Sequence, residues 1–242
     1  MNEVTPLVDV MAFGAHPDDI ELGCGGTLIK LTDAGRSVVL VDMTEAEMST
    51  RGTVETRRAE AARAAAIIGA QARENLHLPD GDVPAGGEGK RRVAGVIRRY
   101  RPHMILLPYY RDRHPDHVYT SQVVYEGAFL AGLVRFDDGQ PAYRPTRLVY
   151  YMHWHEFEPT FVVDISAQFE RKMEAIAAYA TQFKPDDPTW PQTRLTSAEH
   201  DWLRRARMAY YGSRIGVQYG EGFLILGQMR ADTPLDIHFS TF

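Results

Sequence analysis

Six side chains that can bind a metal or move a proton fall into two short stretches. His16, Asp18 and Asp19 lie in Gly14-Ala-His-Pro-Asp-Asp-Ile20, and His114, Asp116 and His117 lie in Asp112-Arg-His-Pro-Asp-His117. A catalytic zinc takes three nitrogen or oxygen ligands and keeps a position open for water, whereas structural zinc sites are closed by four ligands, commonly cysteines. Cys24 is the single cysteine, so the chain has the inventory for catalysis and lacks the one for a structural finger. Two histidines and one aspartate as ligands leave another aspartate as base and another histidine as acid, which is what metal-assisted hydrolysis requires. Spacing alone leaves open whether Asp18 or Asp19, and whether His114 or His117, holds the ion.

Both stretches follow apolar runs. Val8, Val10, Met11, Ala12 and Phe13 precede the first, and His103-Met-Ile-Leu-Leu107 precedes the second. Each run reads as a buried strand, and open α/β sheets bind ligands beyond the carboxyl ends of their strands. The two clusters are therefore expected to face one another. A plainer account makes Asp18 or Asp19 the N-cap of a helix through Ile20, Leu22 and Leu28, with the glycines serving close packing. Capping needs one carboxylate and no histidine.

The remaining elements continue the βα alternation. A helix from Thr27 ends at Gly35, Ser37–Asp42 is a strand, a polar loop through Arg51 leads to an Ala-rich helix at Val54–Ile68, and Gly69 closes it. Glu74–Leu78 reads as a third strand, Pro79–Pro84 as turns, Lys90–Arg99 as a helix with a basic solvated face, and Val118–Leu133 as the helix after the second cluster. Short strands at Arg147–Met152 and Phe161–Ile165 follow. Then come a helix at Ser166–Gln182 with Ser166 as N-cap, a Pro-rich loop or flap at Lys184–Thr193, a helix from Thr196 or Ser197 to Tyr211 capped by Gly212, and Leu224-Ile-Leu226. His153 and His155 share a face if their segment is a strand, and a second metal there competes with a polar lining of the cleft. Cys24 reads as a small buried residue, and His77, His103, His200 and His238 as structural.

The chain has 242 residues and a formal net charge of −5, with no linker-like segment, so residues 1–242 are expected to form one domain. Nothing in that charge suggests nucleic acid or an anionic membrane as partner, and a small molecule is expected instead. One cysteine, no basic leader and no apolar stretch near the ~20 residues of a membrane span point to the cytoplasm.

Ala15-His-Pro-Asp-Asp19 with Glu21, Gly23 and Gly25-Gly-Thr27, followed by His114-Pro-Asp-His117, resembles the zinc-dependent sugar N-deacetylases of the LmbE and PIG-L family. Asp42–Thr53, Asp112–His117, Phe161–Ser166 and Gly216–Phe223 are similar to the bacillithiol-biosynthesis deacetylases acting on N-acetylglucosaminyl malate. The resemblance covers almost the whole chain. It implies an α/β, Rossmann-like, mostly parallel sheet with helices on both faces. It also implies Zn2+ on His16, Asp19 and His117, Asp18 as general base, and His114 oriented by Asp116 as acid or oxyanion stabiliser. Arg51 and Arg113 would hold the malate carboxylates, and the chain would form a homo-oligomer, often a hexamer in relatives.

Three other readings compete. A relative cleaving another amide, or deacetylating another glycoside, would share the metal machinery and differ in its loops. A nucleotide-binding module would need Gly-x-Gly-x-x-Gly directly after the first strand, where His16 stands. A silent zinc protein would not need Asp18 and His114 beside the ligands.

Overall fold

The computed structural model describes residues 6–83, 86–185 and 187–233. Pro84 of the expected turn, Asp186 of the expected flap and His238 lie outside the described residues. The chain runs β1 (Val8–Gly14), α1 (Asp19–Asp33), β2 (Val38–Asp42), α2 (Val54–Ile68), β3 (Ala72–Asn75), α3 (Gly87–Tyr100), β4 (Pro102–Pro108) and α4 (Pro115–Ala131). It continues with β5 (Arg147–Tyr151), β6 (Phe161–Asp164), α5 (Phe169–Ala177), α6 (Ala180–Phe183), α7 (Ala198–Ser213) and β7 (Gly220–Leu224).

The strands form one sheet in the order β3-β2-β1-β4-β5-β7-β6. β1 to β5 are parallel, and β7 runs antiparallel to both β5 and β6. Alternation along the strands divides the core in two. Met11, Phe13, Val39, Val41, Ile105 and Leu107 pack against Val93, Ile97, Val123 and Val124 of α3 and α4. Val10, Ala12, Val38, Leu40 and Leu106 face the other way, onto Ile20, Leu28, Ile29, Ile68 and Ala175 of α1, α2 and α5. A strand buried on both faces reads as an unbroken apolar run, which is why β1, β2 and β4 were legible.

Several boundaries differ for local reasons. The expected strand at Glu74–Leu78 ends at Asn75, because His77 has φ 49° and the buried Leu76 and Leu78 belong to a loop whose N–H groups donate to the carbonyls of Asp42 and Met43. The helix expected at Ser166–Gln182 is a short 3-10 turn followed by α5 and α6. Ser166 does not cap it, because its N–H and hydroxyl both donate to Asp164. Ser197 does cap α7, accepting from the His200 N–H at 3.2 Å. Arg98 is buried rather than solvated and holds the carbonyls of Ala131, Leu133 and Phe136.

The packing expected of the α1 glycines is found at Gly23, where an added Cβ would stand 2.2 Å from the Tyr151 ring. Tyr151 in turn donates to the Phe13 carbonyl at 2.7 Å, tying α1 and β5 to the end of β1. Cys24 is buried, and α1 bends at it, with φ −141°.

Candidate metal centre and catalytic cleft

β1 and β4 are neighbours, with Met11 opposite Ile105, and the strand order reverses between them. The loops after these strands therefore meet at one sheet end, where α/β sheets open a crevice. Pro17 leads into Asp18, which adopts φ 132° and makes no capping hydrogen bond from its side chain. A non-glycine residue in that region is strained, and such strain persists only where surrounding contacts enforce it. Asp18 instead points its Oδ2 at Arg57, 3.2 Å away, so capping does not account for this carboxylate. At the second loop α4 starts at Pro115 rather than Val118, with His114 as N-cap and proline pre-set for the first turn. Asp116 and His117 thus sit on the helix itself.

His16, Asp19 and His117 come together as one group whose ligand atoms lie within 4.8 Å of one another. The inner nitrogens converge on one carboxylate: His16 Nδ1 is 3.4 Å from Asp19 Oδ2, and His117 Nε2 is 3.3 Å from Asp19 Oδ1. The outer nitrogens rest on others. His16 Nε2 lies 3.0 Å from Asp80 Oδ1 and 3.3 Å from Asp116 Oδ2, and His117 Nδ1 lies 3.2 Å from Asp112 Oδ1. Histidine metal ligands characteristically carry a carboxylate or carbonyl on the nitrogen remote from the ion. Two imidazoles and one carboxylate so arranged fit a zinc-type ion with room for water.

The orientation of Asp116 differs from the expectation. Its carboxylate accepts from the Gly81 N–H at 2.8 Å and faces His16, so it does not orient His114. It is the Asp116 backbone N–H that donates to His114 Nδ1, at 3.3 Å. The cause is the helix start: a cap side chain bonds the N–H of the first turn, and Asp116 Oδ2 is turned to the Gly81 N–H and His16. With Nδ1 accepting, the neutral His114 ring carries its proton on Nε2.

Charge in this cluster follows burial and contact. Burial alone would lower His16, but Asp116, Asp19 and Asp80 outweigh it and hold the imidazole well above its ordinary value. Burial also opposes the charged form of His117, which Asp19 and Asp112 nevertheless push up to about 9. Asp19 is held well below the carboxylate range by His117 and His153, against burial. Burial pushes Asp18 up to about 7, with Arg57 opposing and Asp19 reinforcing the shift. His114 is lowered by burial and by its neighbours His16 and His117.

His153 leaves the end of β5 and brings Nε2 to 2.9 Å from Asp19 Oδ1, with its ring 4.2 Å from His117. His155 is exposed and shares no strand face with it. Asp112, His117 and His153 form a further group of possible ligands. Sequence reasoning gave Asp112 no role of its own, missed Arg57, and read Asp80 only as turn chemistry. The signal available for Asp112 was its place just before the His-Pro-Asp-His run, whereas nothing in the spacing marked Arg57.

The two arginines expected at the substrate part company. Arg51 is 1% exposed, its guanidinium is taken up by the carbonyls of Thr181, Pro191 and Lys184, and it does not line the cleft, so it anchors the flap. Arg113 is exposed at the cleft with its guanidinium carbon 4.1 Å from the centre of the Trp154 ring, and Arg194 lies 5.3 Å from the same ring. The cleft encloses about 480 Å3 and is lined by His16, Asp18, Asp19, His114, His117 and His153, with Arg113, Trp154 and Arg194 also on its wall.

Residues 11–128 match the family model described as PIG-L, GlcNAc-PI de-N-acetylase. The diacetylchitobiose deacetylase of Thermococcus kodakarensis is 32% identical over 227 residues, covering 88% of this chain and 81% of that protein. Among solved structures, the conserved protein TT1542 from Thermus thermophilus is 35% identical with a TM-score of 0.82, covering 97% of this chain and 98% of that one. The N,N'-diacetylchitobiose deacetylase from Pyrococcus horikoshii is 29% identical with a TM-score of 0.79, covering 90% and 83%. Among the described residues, no helix is long and apolar enough to cross a membrane. With its catalytic-type cluster at the sheet's switch point and a relative this similar along most of both chains, the protein belongs to the PIG-L family and is a hydrolytic N-deacetylase.

Proposed function

We propose that this enzyme removes the acetyl group from the amino nitrogen of an N-acetylated amino-sugar conjugate, with zinc held by His16, Asp19 and His117. The carrying observation is Asp18. It is a strained, buried carboxyl beside the ligand group, with its pKa pushed up to about 7, where a general base is most effective at neutral pH. The bound ion supplies Lewis acidity, lowering the pKa of water and polarising a carbonyl oxygen. Asp18 takes a proton from the attacking water, whose oxygen bonds to the acetyl carbon. The neutral His114 donates its Nε2 proton as a hydrogen bond to the oxygen on which negative charge develops. Asp18 then returns the proton to nitrogen as the C–N bond breaks, leaving acetate and a free amine.

The relatives named for diacetylchitobiose support an N-acetylglucosamine unit in the substrate. An N-acetylglucosaminyl malate substrate, as in bacillithiol biosynthesis, is the finer reading. It now rests on Arg113 and Arg194, since Arg51 is committed to the flap. Acetate release by the zinc-loaded enzyme from N-acetylglucosaminyl malate, N,N'-diacetylchitobiose and free N-acetylglucosamine tests both levels. Release from none of the three ends the amino-sugar reading, and a preference for the neutral sugars ends the malate one.

A further inference from the structure

The loops after β4 and β5 leave the sheet side by side, because Pro108 pairs with Tyr151 and the Tyr109 N–H donates to the Tyr151 carbonyl at 3.0 Å. One carboxylate fastens the two loops together. Asp112 Oδ1 accepts the His114 N–H and Oδ2 accepts the Trp154 N–H, both at 2.9 Å. Arg207 of α7 adds a second hold, donating to the carbonyls of His153 and Trp154 and to Glu156 Oε1. The backbone around His153 is therefore fixed twice over, whereas His155 is left in solvent.

The His153 side chain lines the catalytic cleft and is 8% exposed. Its Nε2 stands 2.9 Å from Asp19 Oδ1; the approach is close but off the straight hydrogen-bond line, and this buried nitrogen has no other partner among the described residues. A lone pair there would face those of the carboxylate, so the ring proton belongs on Nε2. Buried donors in folded proteins are almost always satisfied, and the acceptor within reach is Asp19. The other oxygen of that carboxylate is already held, since Oδ2 accepts the His16 N–H at 2.9 Å.

We propose that His153 is a positioning residue for Asp19, its Nε2–H supporting Oδ1 as the His16 N–H supports Oδ2, so that both oxygens of the ligand carboxylate are oriented for the ion. The proposal rests on His16, Asp19 and His117 being the zinc ligands. A carboxylate held at one oxygen swings about its Cβ–Cγ bond, and one held at both does not. Hydrogen-bonded ligand carboxylates bind metal more tightly for that reason. Two other uses of His153 are weaker. As a fourth ligand it would take the position that a hydrolytic zinc keeps for water. In a second cation site with Asp112 and His117, it would share a carboxylate whose two oxygens already accept N–H groups.

Zinc affinity, measured on the full chain by competition with a chelator of known strength, tests this without reference to turnover. His153→Leu is expected to bind zinc about 10- to 100-fold more weakly, while the zinc-free variant melts near the wild-type temperature. His153→Gln, whose side-chain amide places an N–H donor where Nε2 stands, is expected to stay within about threefold of wild type. Wild-type affinity in His153→Leu, or equal losses in both variants, overturns the proposal. A crystal structure of the zinc-loaded wild type gives a second test that needs no variant to fold. It is expected to show His153 Nε2 hydrogen-bonded to an Asp19 oxygen and outside the ~2.0–2.1 Å of a zinc–nitrogen bond. Nε2 bonded to the zinc, bonded to a second zinc beside Asp112, or turned away from Asp19 overturns it. Failure of wild type to bind zinc at His16, Asp19 and His117 ends the metal reading itself, whereas zinc bound there with equal affinity by wild type and His153→Leu ends the His153 assignment alone.

Discussion

The Arg57 guanidinium lies 3.2 Å from Asp18 Oδ2 and 2.8 Å from the Pro17 carbonyl, so a buried cation on α2 holds the strained turn and the proposed base together. Arg57 opposes the effect of burial on Asp18. Arg57→Gln is therefore expected to raise the Asp18 pKa and move the acidic limb of kcat/KM to higher pH, while Arg57→Lys leaves it closer to wild type. An unmoved limb in Arg57→Gln would mean that another group sets it.

Asp18→Asn is expected to retain zinc and the fold but lose roughly 10²- to 10⁴-fold in kcat, the usual contribution of a general base. Elemental analysis and circular dichroism of the same sample separate this from loss of the ion. Near-normal turnover in the zinc-loaded variant would remove Asp18 from the mechanism.

Asp116 and Asp112 stand behind His16 and His117, so their substitution should act on the ion before it acts on the chemistry. Asp116→Asn and Asp112→Asn are each expected to weaken zinc binding about 10- to 100-fold, the common cost of losing such a partner, as read by competition with a chromogenic chelator. His114→Ala is expected to hold zinc normally and lose kcat. Unchanged zinc affinity in Asp116→Asn, with a loss of kcat matching His114→Ala, would return Asp116 to the role expected from the sequence.

His200 is held at about 4 by burial, with Arg204 and Arg194 adding to the effect, whereas an unfolded histidine titrates near its ordinary ~6.5. The unfolded chain therefore takes up a proton that the folded chain refuses, and stability falls as pH drops from ~6.5 towards 4. His200→Asn is expected to flatten that decline. Denaturant midpoints at pH 7.5 and 5.0 give the comparison, and an identical drop in both proteins would exclude His200 as a cause.

The parts of this site that were legible are those encoded locally. Apolar runs before His16 and His114 announced β1 and β4, and a repeated His-Pro-Asp after each placed six reactive side chains at one sheet end. Contacts between distant segments were not legible. Arg57 meets Asp18 only because α2 packs beside α1, and Asp80 reaches His16 only because the loop after β3 folds over the strand ends. His153 was noticed but not placed, since β5 stops at Tyr151 and the chain then turns it inward while leaving His155 in solvent. Residue type misled at Arg51. A polar loop arginine near the cluster invites a role with substrate, yet the carbonyls of Thr181 in α6 and of Lys184 and Pro191 in the flap take its donors.

That reassignment separates two kinds of arginine variant. Arg51→Ala leaves the carbonyls of Thr181 in α6 and of Lys184 and Pro191 in the flap without their charged donor, and hydrogen bonds to charged groups contribute ~1.5–3 kcal/mol each. It is expected to lower stability by about 3 kcal/mol and to slow N-acetylglucosaminyl malate, N,N'-diacetylchitobiose and free N-acetylglucosamine alike, because a loosened flap does not distinguish aglycones. Arg113→Ala and Arg194→Ala remove exposed cations stacked on Trp154 and should leave stability nearly unchanged. If the substrate is acidic, each should lower kcat/KM for the malate conjugate while sparing the neutral sugars. The two groups of variants are compared by melting temperature and by kcat/KM on all three substrates. Selective loss on the malate conjugate in Arg51→Ala at wild-type stability would restore Arg51 as a carboxylate ligand. Uniform effects in Arg113→Ala and Arg194→Ala would leave the malate aglycone without any arginine to hold it.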